Sequence, residues 1–327
     1  MDAGRIVGYL GEDWTAVNSL IRESLRSDIS LLNTTNEALL AHGGKMLRPM
    51  LVLVTARACA GSANEASRHF AAASELLHNA TLLHDDVADG SPERRGNPTV
   101  ASLLGGTASV LLGDYWLVKA MEQILSAGEL GNRVIRIFAK TLSNLAEGEM
   151  LQLEKAQKCD TSREDYFRII YSKTASLFEA SCESAAVSVG ADGVLTAAVR
   201  EYGKRLGLAF QVKDDIMDYA SSDATIGKPV GVDLMEQKIT LPLLGALSRV
   251  DDEKDRAVRA MVRNIIDKPA NCAQVRTFVE EHGGVEYAME VLEDLVRDAK
   301  EALSPLPQGE ARDVLMALAD YTAYRKK

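Results

Sequence analysis

The stretch LLHDDVADGSPERRGNP, residues 82–98, sets three aspartates at the end of an apolar run and two arginines just past a break. On a helix at ~100° per residue, Leu76, Ala80, Leu83 and Val87 fall in one apolar stripe. His78, Thr81, Asp85 and Asp89 fall on the opposite side. The stripe is expected to pack on neighbouring helices, leaving the acids to face a cavity or solvent. Gly90 and Pro92 stop the helix, and Arg94 and Arg95 follow. One acidic turn of this kind is more often a solvated face than a site.

A second stretch, LGLAFQVKDDIMDY (206–219), repeats the arrangement. Ala209, Val212, Ile216 and Tyr219 form its packing stripe. Gly207, Gln211, Asp214 and Asp218 share the other face, with Asp215 at its flank. Asp85, Asp86 and Asp89, and then Asp214, Asp215 and Asp218, are thus two DDxxD clusters, each just before a break. A helix C-terminus already carries partial negative charge, so carboxylates there are unfavourable without a cation. They also raise one another's pKa by repulsion. A hard divalent cation relieves both problems, and Mg²⁺ is usually held by one or two carboxylates plus substrate phosphates. Two copies in matching helical phase therefore point to a metal–phosphate site, although spacing does not name the reaction.

The rest of the chain is consistent with a helical enzyme. Only 5% of the 327 residues are aromatic and only eight are proline, which favours helix over sheet. A net charge of −10 argues against general nucleic-acid binding and suits a cytoplasmic protein. Cys59, Cys159, Cys182 and Cys272 are scattered without metal-like spacing, so four reduced thiols are expected. The N-terminus has no evident signal peptide, and no apolar window reaches the ~20 residues of a membrane span. Gly/Pro/Asn/Asp/Ser clusters at 41–44, 90–98, 126–132, 156–162, 189–193, 220–231, 266–271 and 304–309 punctuate helical segments. No stretch alternates strictly, so residues 1–327 are expected to form one all-α domain, a helical bundle.

Basic residues follow Gly or polar breaks: Lys45 and Arg48, Arg94 and Arg95, Lys173, Lys228 and Lys238. Arginine grips phosphate oxygens bidentately and lysine supplies a mobile point charge. Walker A, Rossmann, HExxH and GxSxG patterns are missing, and no Ser/His/Asp or Cys/His nucleophile stands out. EGEMLQLE (147–154) reads as a solvated helix face, and the terminal YRKK (324–327) either as an element that helps close a site or, more simply, as a solubilising end.

The joint pattern resembles the trans-isoprenyl diphosphate synthases, or polyprenyl synthetases. It is carried by GGKMLRP, LLHDDVADGSPERRG, GDYW, EGEMLQ, SKTASLF, FQVKDDIMD, GKPVGVDL and KITLP, in that order over about residues 40–245. The resemblance implies an all-α bundle around a deep central cavity, usually in a homodimer. It implies that Asp85, Asp89, Asp214 and Asp218 hold Mg²⁺, with Asp86 and Asp215 assisting. It assigns Arg94, Lys173, Lys228 and Lys238 to the diphosphate of an allylic prenyl substrate, with Thr174 and Gln211 bordering that site. Lys45, Arg48, His78 and Arg95 match the residues that bind isopentenyl diphosphate.

The implied reaction is ionisation of the allylic diphosphate, head-to-tail condensation with isopentenyl diphosphate, and loss of a proton. Ala80 and Thr81 are small where short-chain relatives often carry aromatic stoppers, which implies a long product, hexaprenyl to nonaprenyl. Trp116 or Met121 is a candidate for the floor. A shorter-chain geranylgeranyl diphosphate synthase and a non-catalytic subunit of a heteromeric synthase are the alternatives. A terpene cyclase would not need the Lys45, Arg48, His78 and Arg95 set. Two departures from the pattern are Met46, where many relatives are basic, and Gln237, where Gly is frequent.

Overall fold

The computed structural model describes residues 3–220 and 231–325. Among the described residues it is all-α apart from one tiny hairpin, and the chain divides into two compact units. The first unit comprises Met1–Ala139, Ala180–Val199 and Pro305–Leu315; the second comprises Lys140–Glu179, Arg200–Ser304 and Met316–Lys327.

In the first unit the chain opens with α1 (Ala3–Leu10), α2 (Glu12–Ser24), α3 (Ser30–Ala41) and α4 (Leu47–Ala60). Helix α5 (Glu65–Ala88) carries the first aspartate cluster and packs against α2, α4 and α7 (Gly106–Leu125). A short α6 (Val100–Leu104) precedes α7. Asn64 and Ser67 start α5 with a reciprocal capping box. The amphipathic reading holds only for the last turns of α5. Phe70, Ala71–Ala73, Ser74, Glu75, Leu76 and Leu77 are all buried, because small residues let helices approach from several sides. Along the apolar stripe Leu76, Ala80 and Leu83 are buried, but Val87 is only half-buried, while His78, Thr81 and Asp85 are half-buried and Asp89 is exposed.

The break after α5 is more ordered than its composition suggests. Glu93–Arg94 and Asn97–Pro98 pair as antiparallel strands β1 and β2. The connecting Arg95 and Gly96 have φ of 54° and 76°, the left-handed pair that a two-residue type I′ turn requires.

Helices α8 (Glu129–Lys158), α9 (Arg163–Ile170), α10 (Ser176–Ser188) and α11 (Gly193–Ala220) follow in the chain. In the second unit α9 does not break before α10. Tyr171–Ala175 widens into a π-helical turn, so Lys173 lies inside a continuous helical run rather than after a polar break. Gly148 and Gly207 explain how that turn is accommodated. A Cβ on Gly148 would lie 2.6 Å from Ser172 Cβ, and one on Gly207 would lie 2.5 Å from Ala175 Cα. The stripe Ala209, Val212, Ile216 and Tyr219 of α11 is buried as expected.

The chain continues with α12 (Val232–Met235), α13 (Leu241–Leu247), α14 (Asp252–Arg263), α15 (Ala270–Glu281), α16 (Gly284–Ala302) and α17 (Glu310–Tyr324). Every residue of α13 is buried, and α13 packs on α15 and α16. Gln237 holds φ 58°, the conformation that a glycine would adopt without strain, and its side-chain amide donates to the Arg263 carbonyl at 2.7 Å. Among the described residues no helix is long and apolar enough to cross a membrane.

Candidate active site

At the end of α5, Asp85 is half-buried, Asp89 is exposed and Asp86 is buried. Arg94 Nε donates to Asp86 Oδ1 at 2.7 Å, so the hairpin is tied back to the helix that precedes it. This charge pair explains why acid and arginine share one short stretch, and it leaves Asp85 and Asp89 as the forward carboxylates.

The four residues matched to isopentenyl diphosphate lie at the start of α4, in α5 and on the hairpin. Lys45 is exposed and Arg48 is half-buried in the first turn of α4, whose N-terminal amides favour an anion. Burial pushes the Arg48 guanidinium down to about 10, with Glu75 opposing and Arg95 reinforcing. His78 is held well below the ordinary histidine range by burial and then by Arg48, Arg95 and Arg94. It is therefore a neutral hydrogen-bonding group among three guanidiniums. The Arg95 guanidinium lies against Gly44, where any Cβ would collide with it. The structure thus gathers Arg48, His78 and Arg95 around one spot, with buried Glu75 as a counter-charge.

The GDYW motif has a packing role. A Cβ on Gly113 would strike the His84 ring, whose Nε2 lies 3.2 Å from Asp114 Oδ1. Trp116 is buried and its Nε1 donates to Asn36 Oδ1 at 2.8 Å. Ala80 is 1% exposed, whereas the half-buried Thr81 donates its hydroxyl to the His78 carbonyl at 2.8 Å.

In the second unit a polar chain crosses the site. Thr174 Oγ1 donates to Gln211 Oε1 at 2.8 Å, and Gln211 Nε2 donates to Asp215 Oδ1 at 2.9 Å. Tyr166 OH donates to Asp215 Oδ2 at 2.6 Å. Gln211, Asp215 and Tyr166 line a cavity of about 130 Å³ with Gln152, Lys173, Asp233 and Lys238. Asp215 is 3% exposed, and burial lifts its pKa well above the carboxylate range, with Asp233 adding to the rise. Burial and the neighbouring Asp218 push Asp233 up to about 7.

The outer aspartates of this cluster differ in surroundings. Asp218 accepts backbone N–H groups from Gly231 and Val232 at 3.1 and 3.2 Å on Oδ1, and from Asp233 at 3.2 Å on Oδ2. It anchors the turn that begins α12. Burial raises its pKa, and those three donors oppose the rise. Asp214 is half-buried and accepts from Arg325 at 2.7 Å.

The two described lysines of this unit that were matched to the allylic diphosphate are each held by a carboxylate. Lys173 Nζ lies 2.6 Å from Glu149 Oε1, and Lys238 pairs with Glu236. Lys228 lies outside the described residues. Two expectations need correction here. EGEMLQLE is not simply a solvated face, because Gly148 seats the π turn, Glu149 holds Lys173 and Gln152 lines the cavity. Arg325 of YRKK does not solubilise an end: it is 9% exposed and stacks 3.8 Å from the centroid of the Phe210 ring. Lys326 and Lys327 lie outside the described residues.

Glu75 and Tyr166 were not singled out by the sequence, and Glu149, Asp233 and Arg325 were seen only inside the motifs EGEMLQ, GKPVGVDL and YRKK. Tyr166 meets Asp215, Glu149 meets Lys173 and Arg325 meets Asp214 across long stretches of chain, so no local spacing marks those pairs.

Among the described residues no three His, Cys, Asp or Glu side chains converge as a ready-made metal cage. The forward carboxylates are hard oxygen donors on helix ends. That donor set fits Mg²⁺, which keeps several sites for water and phosphate.

Residues 29–281 match the polyprenyl synthetase family model. The chain is 35% identical to the octaprenyl diphosphate synthase of Escherichia coli K12 over 332 residues, covering 100% of both. The crystal structure of a decaprenyl diphosphate synthase from Rhodobacter capsulatus superposes with a TM-score of 0.90, at 37% identity, over 100% of both chains. That of a polyprenyl synthase from Caulobacter crescentus CB15, complexed with calcium and isoprenyl diphosphate, gives 0.90 at 36% identity, over 100% of this chain and 98% of that one. With the helical fold, both aspartate clusters and full-length similarity in agreement, this chain belongs to the polyprenyl synthetase family and is a prenyltransferase.

Proposed function

We propose that the protein is an all-trans polyprenyl diphosphate synthase that condenses isopentenyl diphosphate with an allylic prenyl diphosphate to a long-chain product. The observation that carries this reading is the repeated DDxxD, whose first copy ends in exposed Asp89 beside the Asp86–Arg94 pair and whose second carries half-buried Asp214 and Asp218. Full-length similarity to an octaprenyl and a decaprenyl diphosphate synthase supports the long product.

Asp85, Asp89, Asp214 and Asp218 would hold Mg²⁺. When bound, the metal supplies positive charge to the departing diphosphate. Arg94, Lys173 and Lys238 exchange carboxylate partners for diphosphate oxygens, and Lys228 is assigned the same role. This stabilises charge that grows as the allylic C–O bond ionises. Thr174 and Gln211 orient that end of the substrate through their hydrogen-bonded chain to Asp215. Lys45, Arg48 and Arg95 bind the isopentenyl diphosphate, and neutral His78 donates or accepts without adding charge. The isopentenyl double bond then attacks the allylic cation, and a proton is lost to the released diphosphate. No protein nucleophile is needed, and a water-poor cavity protects the cation.

Incubation with Mg²⁺, labelled isopentenyl diphosphate and farnesyl or geranylgeranyl diphosphate, followed by separation by length, tests the reading. Products of six to nine isoprene units are expected. Products ending at geranylgeranyl would make it a short-chain enzyme, and none would indicate the subunit alternative. Ala80 and Thr81 are proposed to set length. Thr81→Tyr is the sharper test, since a ring at fully buried Ala80 would strain α5 itself. Thr81→Tyr is expected to shorten the product by several units, and an unchanged distribution from a folded variant removes Thr81 from this role.

The proposal includes a single polyprenyl synthetase domain over 1–327 acting as a homodimer. Leu111, Val118 and Leu125, spaced by seven on α7, are 63, 51 and 50% exposed. Such a stripe suits the same helix of a second copy. Leu111→Asp with Val118→Asp is expected to convert a dimer to a monomer in analytical ultracentrifugation. A variant with the same mass as wild type would reject this face. A cytoplasmic location is also part of the reading, supported by four free cysteines. The long product would be handed on to a membrane, and no nucleic-acid partner is expected of so acidic a chain.

A further inference from the structure

Arg325 has no part in the reaction above, yet it is docked on the turn of α11 that carries the second aspartate cluster. Its Nη2 donates to the Phe210 carbonyl at 2.9 Å and to Asp214 Oδ1 at 2.7 Å. Its guanidinium carbon stacks over the Phe210 ring, and its backbone N–H closes the last turn of α17 on the Tyr321 carbonyl at 2.9 Å. A buried arginine therefore sits on the carboxylate proposed to receive a divalent cation.

The two cations serve Asp214 in the same way, by neutralising it, and they repel each other at contact distance. We propose that Arg325 is the resident counter-cation of Asp214, and that divalent metal arriving with diphosphate displaces it and frees the end of α17 from α11. The inference rests on the metal role of Asp214 proposed above. Linkage makes the effect reciprocal: docking of Arg325 weakens metal binding as much as metal weakens docking. The end of α17 then reports metal loading, and without metal Arg325 keeps Asp214 neutralised.

The probe is Mg²⁺ with inorganic diphosphate, without a prenyl substrate. Calorimetric titration compares wild type, Arg325→Gln and Asp214→Asn, with circular dichroism checking that each is folded. Hydrogen exchange follows the wild-type amides of residues 321–325. Arg325→Gln is expected to bind the metal about fivefold more tightly, the scale of losing one partly exposed ion pair. The wild-type amides are expected to exchange faster once metal and diphosphate are added. Unchanged or weaker binding by Arg325→Gln, or unchanged wild-type exchange, overturns the latch. If Asp214→Asn binds metal as wild type does, the metal role fails and the latch with it. If Asp214→Asn loses affinity while Arg325→Gln gains none, the latch alone fails.

Discussion

Replacing Asp85 with alanine is expected to lower kcat/KM for condensation on the order of 10³-fold or more, while thermal stability stays level or rises. The opposite signs follow from where Asp85 sits. It lies in the last turn of α5, where the helix dipole and the neighbouring Asp86 and Asp89 all disfavour another negative charge. Alanine also has the higher helix propensity. Removing the carboxylate thus relieves the folded chain and deprives the departing diphosphate of metal-borne charge. The check combines steady-state condensation with labelled isopentenyl diphosphate and thermal unfolding by circular dichroism. Near-wild-type turnover would sink the metal assignment, and a large fall in Tm would mean that Asp85 is structural. Asp214→Ala should lose activity similarly, but it also loses the ion pair to Arg325.

The second large effect requires no change in charge. Gly207→Ala is expected to destabilise the protein by about 1–3 kcal/mol, even though alanine is the better helix former by about 1 kcal/mol. The added Cβ would lie 2.5 Å from Ala175 Cα and 2.9 Å from Ala175 Cβ. A rotamer change cannot relieve a clash with backbone, so the π turn must move. That turn carries Lys173 and Thr174, and KM for the allylic substrate should rise together with the fall in Tm. Gly148→Ala should act in the same direction, since its Cβ would meet Ser172 Cβ at 2.6 Å on the same turn. Gly193→Ala is the control: nothing lies within 4 Å of its Cβ position. Equal stability and KM in the Gly207 and Gly193 variants would show that the turn yields freely.

Much of the fold was legible because helices write themselves locally. The 3.6-residue period placed Ala209, Val212, Ile216 and Tyr219 in the core, and all four are buried. The same period was less informative for α5, where Ala71–Ala73 and Ser74 are buried around the whole helix and leave no polar face to read. The hairpin at 93–98 escaped because two-residue strands carry no alternation. Its arginine in a left-handed turn residue gives no glycine-like signal. The π turn escaped for a similar reason: an extra residue in one turn reflects packing against Gly148 and Gly207, not the composition of YSKTA.

By itself the sequence determined an all-α chain with two aspartate clusters suited to metal and phosphate, since the i, i+1, i+4 spacing and its helical phase are properties of consecutive residues; prenyl transfer came from the family resemblance of its motifs taken together. Tertiary structure alone decided what each charged group does before substrate arrives. It buried Asp215 against Tyr166 and left Asp214 half-buried, although the two are adjacent in the chain. It gave Asp86 to Arg94, Glu149 to Lys173 and Asp214 to Arg325, the last pair 111 residues apart. Electrostatic partners are chosen by distance in space and by burial, and neither is written in local spacing.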